Sequence, residues 1–264
     1  MDEPLRGPGA ATLSREETRH ASRALRLKPG DAVEVCDGVG GLGVGRLGDV
    51  VGDEARVEVE AMVTEASALA SGTDWDVACA FGGLKGGRGD WLVEKCAELG
   101  ARALVPLLTA RSAAVGGGDR EDGRKAGRKN AEATSGRESR WGRVAHAASK
   151  QCLRVRGLIV DAPIGVKELC ALIEAEGSSR TTLLAAQGAP PLAAVARAAG
   201  EDAMRSGRIV IGPEGDFTDE EVEALIRAGA RPIALGALRL RVETAAIAVL
   251  AAVNAIVDGE SESS

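Results

Sequence analysis

Two segments near the C-terminus place glycines and charged side chains directly after apolar, strand-like runs. Residues 211–215 read IGPEG, and residues 235–244 read LGALRLRVET. Ligands of parallel α/β sheets bind beyond the C-terminal ends of the strands, so two such loops could wall one pocket. Glu214 needs a partner if it is buried there, and a ligand amine or an arginine would supply one. Each loop alone is equally compatible with an ordinary strand-to-helix connection. In the second loop, Arg241 and Glu243 would then pair with each other.

Two other glycine-rich segments have weaker claims to chemistry. Residues 43–48 fit the dinucleotide-binding pattern G-x-G-x-x-G, but that function requires a helix after the glycines, and further turn and strand-like sequence follows instead. We therefore interpret these glycines as hairpin turns. Residues 85–88 (KGGR) lack the G-K-[ST] of a phosphate loop. A basic turn at a helix start can still contact an RNA phosphate, or it can simply connect a strand to a helix.

The composition predicts a folded, soluble chain. Its 264 residues are 45% hydrophobic, which is enough for a packed core, and only 2% aromatic, so base stacking cannot dominate nucleic-acid binding. The net charge is −6, yet basic residues concentrate between Arg120 and Arg156, as either a phosphate-binding patch or a solvated surface. Five scattered cysteines and two histidines do not form a zinc pattern. No apolar run reaches the roughly 20 residues of a membrane span, and we expect an intracellular protein.

The hydrophobic periodicity divides the chain into two parts. Residues 31–62 alternate apolar and polar side chains between glycine turns, which predicts antiparallel strands in a small β-barrel or sandwich. From Trp75 onward, apolar strand-like runs alternate with helical ones, which predicts a parallel sheet with crossover helices. The predicted strands of this sheet are 77–81, 103–108, 158–160, 183–186, 208–211 and 232–235.

Three helices of the second part have clear sequence signals. One extends over about residues 90–99, and another begins at Thr218, which forms a capping box with Glu221. The last, residues 243–257, is apolar almost all round, so it must pack on the sheet or against a second subunit. Residues 115–139 are rich in Gly, Arg and Asp and predict a mobile loop.

The two C-terminal loops together resemble the RsmE family, the 16S ribosomal RNA (uracil-N3)-methyltransferases of the SPOUT class. The resemblance extends over nearly the whole chain. The further residues that carry it are His20, Arg23, residues 25–28, Gly30, Asp31, Lys85, Gly86, Glu94, Lys95, residues 98–100, Pro106, Leu107, Arg111, Ser112, Arg140, Trp141, Gln151 and Arg154. Residues 150–152 with Arg154 are similar to the plastid branch, so a plastid or other organelle is the alternative to a cytoplasmic location.

This resemblance implies an α/β protein that begins with a PUA-like β-barrel, residues 1–72, which helps to hold RNA. A SPOUT-type methyltransferase domain with a C-terminal trefoil knot follows over residues 73–260. The family is usually a homodimer with the active site near the subunit interface, in agreement with the apolar last helix. The implied cofactor is S-adenosyl-L-methionine (AdoMet) and the implied partner is small-subunit ribosomal RNA, with no metal and no membrane.

The family pattern also assigns roles to individual residues. The implied catalytic residues are Arg241 and Glu243. The implied AdoMet-binding residues are Ala186, Gly212, Pro213, Glu214, Gly215, Leu235, Gly236, Leu240 and Arg241. The implied RNA-binding residues are Arg23, Arg26, Lys85, Arg88, Arg111, Gln151 and Arg154. Departures from the pattern are Asp216 for the second glycine of G-P-E-G-G, Leu238-Arg239 for Arg-Ile before Leu240, Val242 for Thr after Arg241, and Ala110 for Glu before Arg111.

The resemblance suggests a mechanism and leaves two rivals. AdoMet carries its own leaving group, so the protein mainly positions the methyl group, whereas uracil N3 must lose a proton. We hypothesise that Arg241 stabilises the uracil oxygens or the adjacent phosphate, and that Glu243 orients Arg241 or accepts the proton. One rival, favoured by Asp216 and Val242, is an inactive RNA-binding or ribosome-assembly protein. The other is a nicotinamide-dependent oxidoreductase, which rests only on residues 43–48.

Overall fold

The computed structural model describes residues 4–52, 54–63, 73–81, 84, 87–112, 140–152 and 154–261. Contacts among them divide the chain into two units. The first consists of the described parts of Met1–Gly72 and Ser149–Gly157, and the second of the described parts of Thr73–Ala148 and Leu158–Ser264. The domain boundary after residue 72 stays a prediction, and no sequence signal indicated that Ser149–Gly157 would join the first unit. The segment predicted as a mobile loop, 115–139, lies outside the described residues.

The first unit is a sheet whose strands bury alternate side chains in a small core. Its elements are β1 (Gly9–Leu13), α1 (Arg15–Arg19) with the π-helical turn His20–Ala24, β2 (Ala32–Cys36), β3 (Leu42–Val51) and β4 (Glu54–Met62). In the described chain these strands pair antiparallel in the order β1-β4-β3-β2. Along β4, Ala55, Val57 and Val59 are buried while the residues between them are exposed, because successive side chains of a strand point to opposite faces.

The glycines of residues 43–48 lie inside β3, so their interpretation as hairpin turns was wrong. A Cβ on Gly45 would stand 2.1 Å from the carbonyl oxygen of Glu58, and the register of β3 against β4 shifts between Val44 and Gly45. This close approach at a β-bulge explains why glycine is needed there. Because strand β4 follows β3, the glycine pattern has no helix after it and cannot form a dinucleotide site.

The second unit alternates strands and helices. Its strands are β5 (Asp74–Cys79), β6 (Ala103–Leu108), β7 (Ile159–Val160), β8 (Ile164–Gly165), β9 (Thr181–Ala185), β10 (Ser206–Ile211) and β11 (Arg231–Ile233). Its helices are α2 (Arg88–Glu98), α3 (residues 140–151, of which 149–151 belong to the first unit), α4 (Val166–Glu176) with a 3-10 turn Gly177–Ser179, α5 (Leu192–Ala199), α6 (Glu201–Met204), α7 (Asp219–Ala228) and α8 (Val242–Ser261). The described strands form a parallel sheet of order β11-β9-β10-β5-β6-β7, with β8 paired to β6.

Helices cover both faces of this sheet. On one face, α2, α3, α5 and α8 pack around Trp75, Val77 and Cys79 of β5. On the other, α4 and α7 pack around Ala78 of β5 and Val210 of β10. The central strands are therefore buried on both sides, as their continuous apolar runs predict. None of the helices in the described part of the chain is long and apolar enough to cross a membrane.

The predicted combination of a small antiparallel β unit and an α/β unit with a parallel sheet is confirmed. Strand β6 has the predicted bounds, and α7 begins at the predicted cap, where Thr218 Oγ1 accepts a hydrogen bond from Glu221 N at 3.2 Å. Strand β5 begins three residues earlier than predicted, because Asp74, Trp75 and Asp76 pair with the first residues of β10, and Arg102 offsets the charge of the two carboxylates. The trefoil knot stays a prediction.

Candidate active site

A cleft opens where three neighbouring parallel strands end. Strands β11, β9 and β10 lie side by side, and the loops that follow them meet beyond their C-terminal ends. We call residues 212–218 the β10 loop and residues 234–241 the β11 loop. The cleft is lined by Ala185, Ala186, Gln187, Ile211, Gly212, Pro213, Glu214, Asp216, Ile233, Ala234, Leu235, Gly236, Ala237, Leu238, Arg239, Leu240, Val242 and Ala245. Most of the predicted AdoMet-binding residues are thus brought together, and the other two, Gly215 and Arg241, flank this lining.

The β10 loop turns sharply at the end of its strand. The N–H of Asp216 donates to the carbonyl oxygen of Pro213 at 2.9 Å, which closes a turn over residues 213–216. A Cβ on Gly212 would stand 2.9 Å from the ring of Phe217, so glycine allows this ring to fold back into the core, where it is almost fully buried. Asp216 has a φ of +57°, in the left-handed region where glycine is commonest and Asp and Asn are tolerated.

The β11 loop combines an open backbone with exposed apolar side chains. Gly236 has a φ of +125°, which favours glycine, and no described atom lies within 4 Å of the place a Cβ would occupy. The carbonyl oxygen of Ala234 accepts from Leu192 N at 3.1 Å, which ties this loop to the start of α5. Leu238 is 84% exposed and Leu240 is 37% exposed. Apolar surface at the edge of a cleft is available to cover a ligand.

Arginines from two separate elements hold the β10 loop by its carbonyl oxygens. Arg239 of the β11 loop donates through Nη2 to the carbonyl oxygen of Glu214 at 2.9 Å and to Asp216 Oδ2 at 2.6 Å. Arg111, which follows β6, donates through Nη1 to two further carbonyl oxygens of the turn, at 3.0 and 3.3 Å. A turn leaves carbonyl groups without strand partners, and charged donors satisfy them well. The shape of the loop therefore depends on side chains outside it.

Glu243 lies in the interior at the start of α8. The residue is 6% exposed, and its Oε1 is 3.2 Å from Arg88 Nη1. Arg88 Nη2 is also 3.9 Å from Glu214 Oε1, so this arginine joins α8 to the rim of the cleft. Among the described residues, Glu243 Oε2 has no hydrogen-bond partner. Burial, followed by the nearby Cys96 and Glu243, raises the pKa of the Cys79 thiol, which places this carboxylate near the apolar end of β5.

Arg241 is exposed and makes no ion pair with another described residue. Its carbonyl oxygen accepts from Ala245 N at 2.8 Å, as expected for a residue at the N-terminus of a helix. The alternative in which Arg241 pairs with Glu243 is not observed, because the partner of Glu243 is Arg88. An exposed guanidinium beside the cleft remains available for an anionic group.

The residues predicted to bind RNA have different surroundings. Arg23 and Arg26 are exposed in the first unit, and Gln151 is exposed as well. Arg154 is 3% exposed, and a guanidinium buried in this way cannot reach a phosphate group directly. Lys85 lies outside the described residues. Arg88 and Arg111, described above, already contact carboxylate or carbonyl oxygens of the site.

The basic segment between Arg120 and Arg156 is described only in part. Lys150 Nζ lies 2.8 Å from Glu17 Oε1, and Arg140 pairs with Asp90. These two cations are therefore engaged with acidic partners rather than free for phosphate.

Three polar or charged residues that line the cleft were not predicted as site residues: Gln187, Asp216 and Arg239. Gln187 follows an apolar strand, the same signal that identified the other loops, and could have been found by it. Asp216 and Arg239 were visible only as departures from a family pattern, and the contact between them could not be foreseen. In the part of the chain that the structure describes, no three His, Cys, Asp or Glu side chains are grouped so that they could hold a metal ion.

The chain is similar to several known proteins over most of its length. It is 28% identical to ribosomal RNA small subunit methyltransferase E of Synechocystis sp. over 94% of this chain and 73% of that protein. It is 27% identical to the protein of the same name from Bacillus subtilis, over 92% and 89% of the two chains. Ribosomal RNA small subunit methyltransferase E from Neisseria gonorrhoeae, solved bound to S-adenosyl methionine, superposes with a TM-score of 0.75 at 24% identity over 97% of this chain and 95% of that chain. A probable rRNA-methyltransferase from Porphyromonas gingivalis gives 0.72 at 24% identity over 94% of each chain.

The chain is a two-unit α/β protein. One unit is an antiparallel β-sheet, and the other is a parallel sheet with a cleft at the C-terminal ends of its strands. Residues 72–254 match the family model of the RNA methyltransferase domain, and residues 13–60 match that of the RNA methyltransferase PUA domain. The chain belongs to this RNA methyltransferase family, and the family predicted from its residues is confirmed.

Proposed function

We propose that this protein transfers the methyl group of AdoMet to N3 of a uracil in small-subunit (16S) ribosomal RNA. The observation that carries the proposal is the cleft formed by the β10 and β11 loops at the ends of adjacent parallel strands, in a chain of the RNA methyltransferase family. The names of the Synechocystis and Bacillus relatives support ribosomal RNA of the small subunit as the substrate. The Neisseria structure with bound S-adenosyl methionine supports the cofactor.

The chemistry of the cleft suits AdoMet. Leu235 and Leu240 offer apolar surface to an adenine ring, and the open backbone beside Gly236 allows close approach of a ligand. Glu214, whose side chain is 56% exposed at the rim, provides negative charge for the cationic methionine part. We therefore assign cofactor binding to Gly212, Pro213, Gly215 and Ala186 together with these residues.

The residues around the cleft stabilise the charge that develops on the uracil and position the groups that do so. When bound, AdoMet supplies a methyl group with a sulfonium leaving group. Arg241, exposed at the start of α8, stabilises the negative charge that develops on the uracil oxygens as N3 loses its proton to solvent water, or binds the neighbouring phosphate. Glu243 was predicted to orient Arg241 or to accept the proton. The cation that it contacts is Arg88 instead, so in this proposal the buried carboxylate holds Arg88 in place. Glu243 is thus a positioning residue in this proposal.

Methylation of RNA from cells that lack this protein tests the proposal. We expect purified protein and AdoMet to produce 3-methyluridine in small subunits or in free 16S rRNA from such cells, as measured by mass spectrometry of nucleosides. Arg241→Ala should abolish product formation while leaving AdoMet binding measurable by calorimetry, whereas Arg227→Ala, at an exposed position of α7, should leave both unchanged. Absence of 3-methyluridine with every RNA substrate would overturn the proposed reaction, and near-normal turnover of the Arg241 variant would overturn its role.

The second candidate function is an RNA-binding or ribosome-assembly protein without activity. Asp216 and Val242, the departures that favour it, both line the cleft. The cleft accommodates both residues, because the Asp216 carboxylate has an arginine partner and Val242 is buried. Calorimetry with AdoMet separates the two candidates, since a protein without detectable AdoMet binding would belong to the second.

We also propose a homodimer, a C-terminal trefoil knot and a cytoplasmic location. The largely apolar surface of α8 supports the dimer, because part of its side chains remain only half-buried within one chain. Light scattering after size-exclusion chromatography should give twice the monomer mass, and a monomeric mass at micromolar concentration would overturn this proposal. The relatives named above give no support to the plastid alternative. RNA contacts are assigned to the exposed Arg23, Arg26 and Gln151.

A further inference from the structure

Asp216 and Arg239 belong to different loops and meet at the rim of the cleft. Arg239 Nη2 donates to Asp216 Oδ2 at 2.6 Å and to the carbonyl oxygen of Glu214 at 2.9 Å, and all three residues line the cleft. We propose that Asp216 and Arg239 form a clasp that fastens the β10 loop to the β11 loop and slows the release of the adenosyl cofactor. This inference rests on the proposed function, because it assumes that the cleft binds AdoMet.

The backbone conformation at Asp216 indicates that its carboxylate is present for a contact and not for the turn. The residue has a φ of +57°, and glycine adopts this conformation with less strain than any residue with a side chain. Asp and Asn are the side chains that tolerate it best, but neither removes the strain completely. A carboxylate at this position is therefore better explained by the ion pair it makes than by the needs of the turn.

The two residues are also the places where both loops depart from the family pattern. The resemblance described under Sequence analysis implied glycine at position 216 and arginine at 238, whereas this chain has Asp216, Leu238 and Arg239. In this chain the altered residues contact each other, so each departure supplies the partner of the other. Leu238, the residue that stands in the expected arginine position, is 84% exposed instead.

The clasp differs from the second support of the β10 loop. Arg111 also donates to carbonyl oxygens of that loop, but it follows β6 and does not line the cleft. Loss of Arg111 would loosen only the β10 loop, whereas loss of Arg239 would detach the β10 loop from the β11 loop. We therefore expect the clasp to act on the rate at which a ligand leaves, because both loops must part for release.

The exposure of the pair limits its strength and makes it sensitive to salt. The side chains of Arg239 and Asp216 are 58% and 65% exposed. Exposed ion pairs change equilibria by roughly one- to fivefold, and salt near about 1 M screens them almost completely. The contact to the Glu214 carbonyl adds a charged hydrogen bond that depends on Arg239 alone. Arg239 variants should therefore have larger effects than Asp216 variants.

The test compares cofactor release from four proteins: the unmodified chain, Asp216→Asn, Arg239→Gln and the double variant. Asparagine tolerates positive φ, so Asp216→Asn removes the charge without altering the turn. In about 0.05 M salt we expect release of S-adenosylhomocysteine and AdoMet, measured by stopped-flow fluorescence, to be about two- to fivefold faster for Asp216→Asn and about five- to tenfold faster for Arg239→Gln. The double variant should match Arg239→Gln, and the effect of Asp216→Asn should shrink in 1 M salt.

A matched control uses another exposed ion pair of this chain. Arg227 and Glu223 of α7 are 3.4 Å apart and each 69% exposed, and Arg227→Gln should leave release unchanged. Equal release rates from Arg239→Gln and the unmodified protein, or additive effects of the two substitutions, would overturn the clasp.

Hydrogen exchange separates failure of the clasp from failure of the proposed function. If the unmodified protein binds no AdoMet, the proposed function fails, and the link between the loops is still measurable in the free protein. Amides of residues 236–240 should then exchange several-fold faster in Arg239→Gln than in Arg227→Gln. Equal exchange in these two variants would mean that the loops are not fastened by Arg239.

Discussion

An ion-pair cluster at one end of the parallel sheet and the pair of Asp216 with Arg239 at the other end are buried to different degrees. At the N-terminal end, Asp76 has a side chain that is 3% exposed, and Arg102 and Arg208 lie 2.5 and 3.5 Å from its Oδ2. At the C-terminal end, the side chains of Asp216 and Arg239 are more than half exposed. Buried pairs leave an uncompensated charge when one partner is lost, whereas exposed pairs exchange readily with water and salt. One end is therefore suited to fix the sheet and the other to bind and release a ligand.

The N-terminal cluster joins five segments: β5, β10, the end of α4 and the residues that directly precede β6 and β9. Arg208 on β10 pairs bidentately with Glu176 at the end of α4, at 2.9 Å for each contact. Arg180, just before β9, lies 3.3 Å from the same Asp76 oxygen and donates to the carbonyl oxygen of Gly207 at 2.8 Å. The cluster thus connects the central strands at the end opposite the cleft.

Of the variants that test this comparison, Arg208→Ala should have the largest effect on the free energy of unfolding. This change leaves Glu176 without its bidentate partner, while Asp76 keeps Arg102 and Arg180, and it should lower the free energy of unfolding by about 2 to 4 kcal/mol. Urea unfolding at low and high salt is the measurement, and the loss should persist in high salt because the pair is buried. Arg205→Ala is the control, since its contact with Asp202 is exposed, and it should change stability by less than about 0.5 kcal/mol. A similar small loss for Arg208→Ala would show that burial does not distinguish the two ends.

Arg88→Gln should have an intermediate effect that combines stability and activity. The change leaves the buried carboxylate of Glu243 without the arginine and should cost about 1 to 3 kcal/mol, together with most of the methylation activity. Arg88→Lys retains the positive charge and should recover part of both. Thermal unfolding and nucleoside mass spectrometry are the measurements. Full activity in Arg88→Gln would show that Glu243 needs no cation.

Arg111→Gln should loosen the β10 loop without disturbing the sheet. Two carbonyl oxygens lose a charged donor, and we expect the dissociation constant for AdoMet to rise about three- to tenfold with a stability loss near 1 kcal/mol. Calorimetric titration measures the first quantity. An unchanged dissociation constant would mean that the turn keeps its shape through its own hydrogen bonds. Arg197→Gln, at an exposed position of α5, serves as the control.

Asp161→Asn should have the smallest effect and should depend on pH. Partial burial and then the nearby Asp76 raise the pKa of Asp161 above its ordinary value. Its ionised form is therefore disfavoured in the folded state, a penalty present above the folded pKa and absent below the unfolded one. Asp161→Asn should stabilise the protein by about 0.5 kcal/mol or less near pH 7, and this gain should vanish as the pH falls below about 4. Urea unfolding at the two pH values checks this, and a gain that persists in acid would have another cause.

Local signals in the sequence were enough for the cleft but not for the charge clusters. The β10 and β11 loops follow apolar runs and contain glycines, so their place at the strand ends was predictable from order along the chain. The partners of Asp76 are Arg102, Arg180 and Arg208, and no local pattern indicates which distant strands will be neighbours. The same limit applies to Glu243 and Arg88, which are 155 positions apart. A local reading of residues 43–48 also missed the bulge in β3.

The buried cysteines next to Glu243 provide an internal reporter for the active-site end of the sheet. Cys79 and Cys96 are fully buried and form no disulfide, and burial raises the pKa of the Cys79 thiol, so it reacts as a thiolate only after the surrounding core opens. Cys36, Cys152 and Cys170 are partly exposed and should be modified first. The slow phase of labelling with a thiol reagent therefore times the transient opening of the region around Glu243 without any introduced probe.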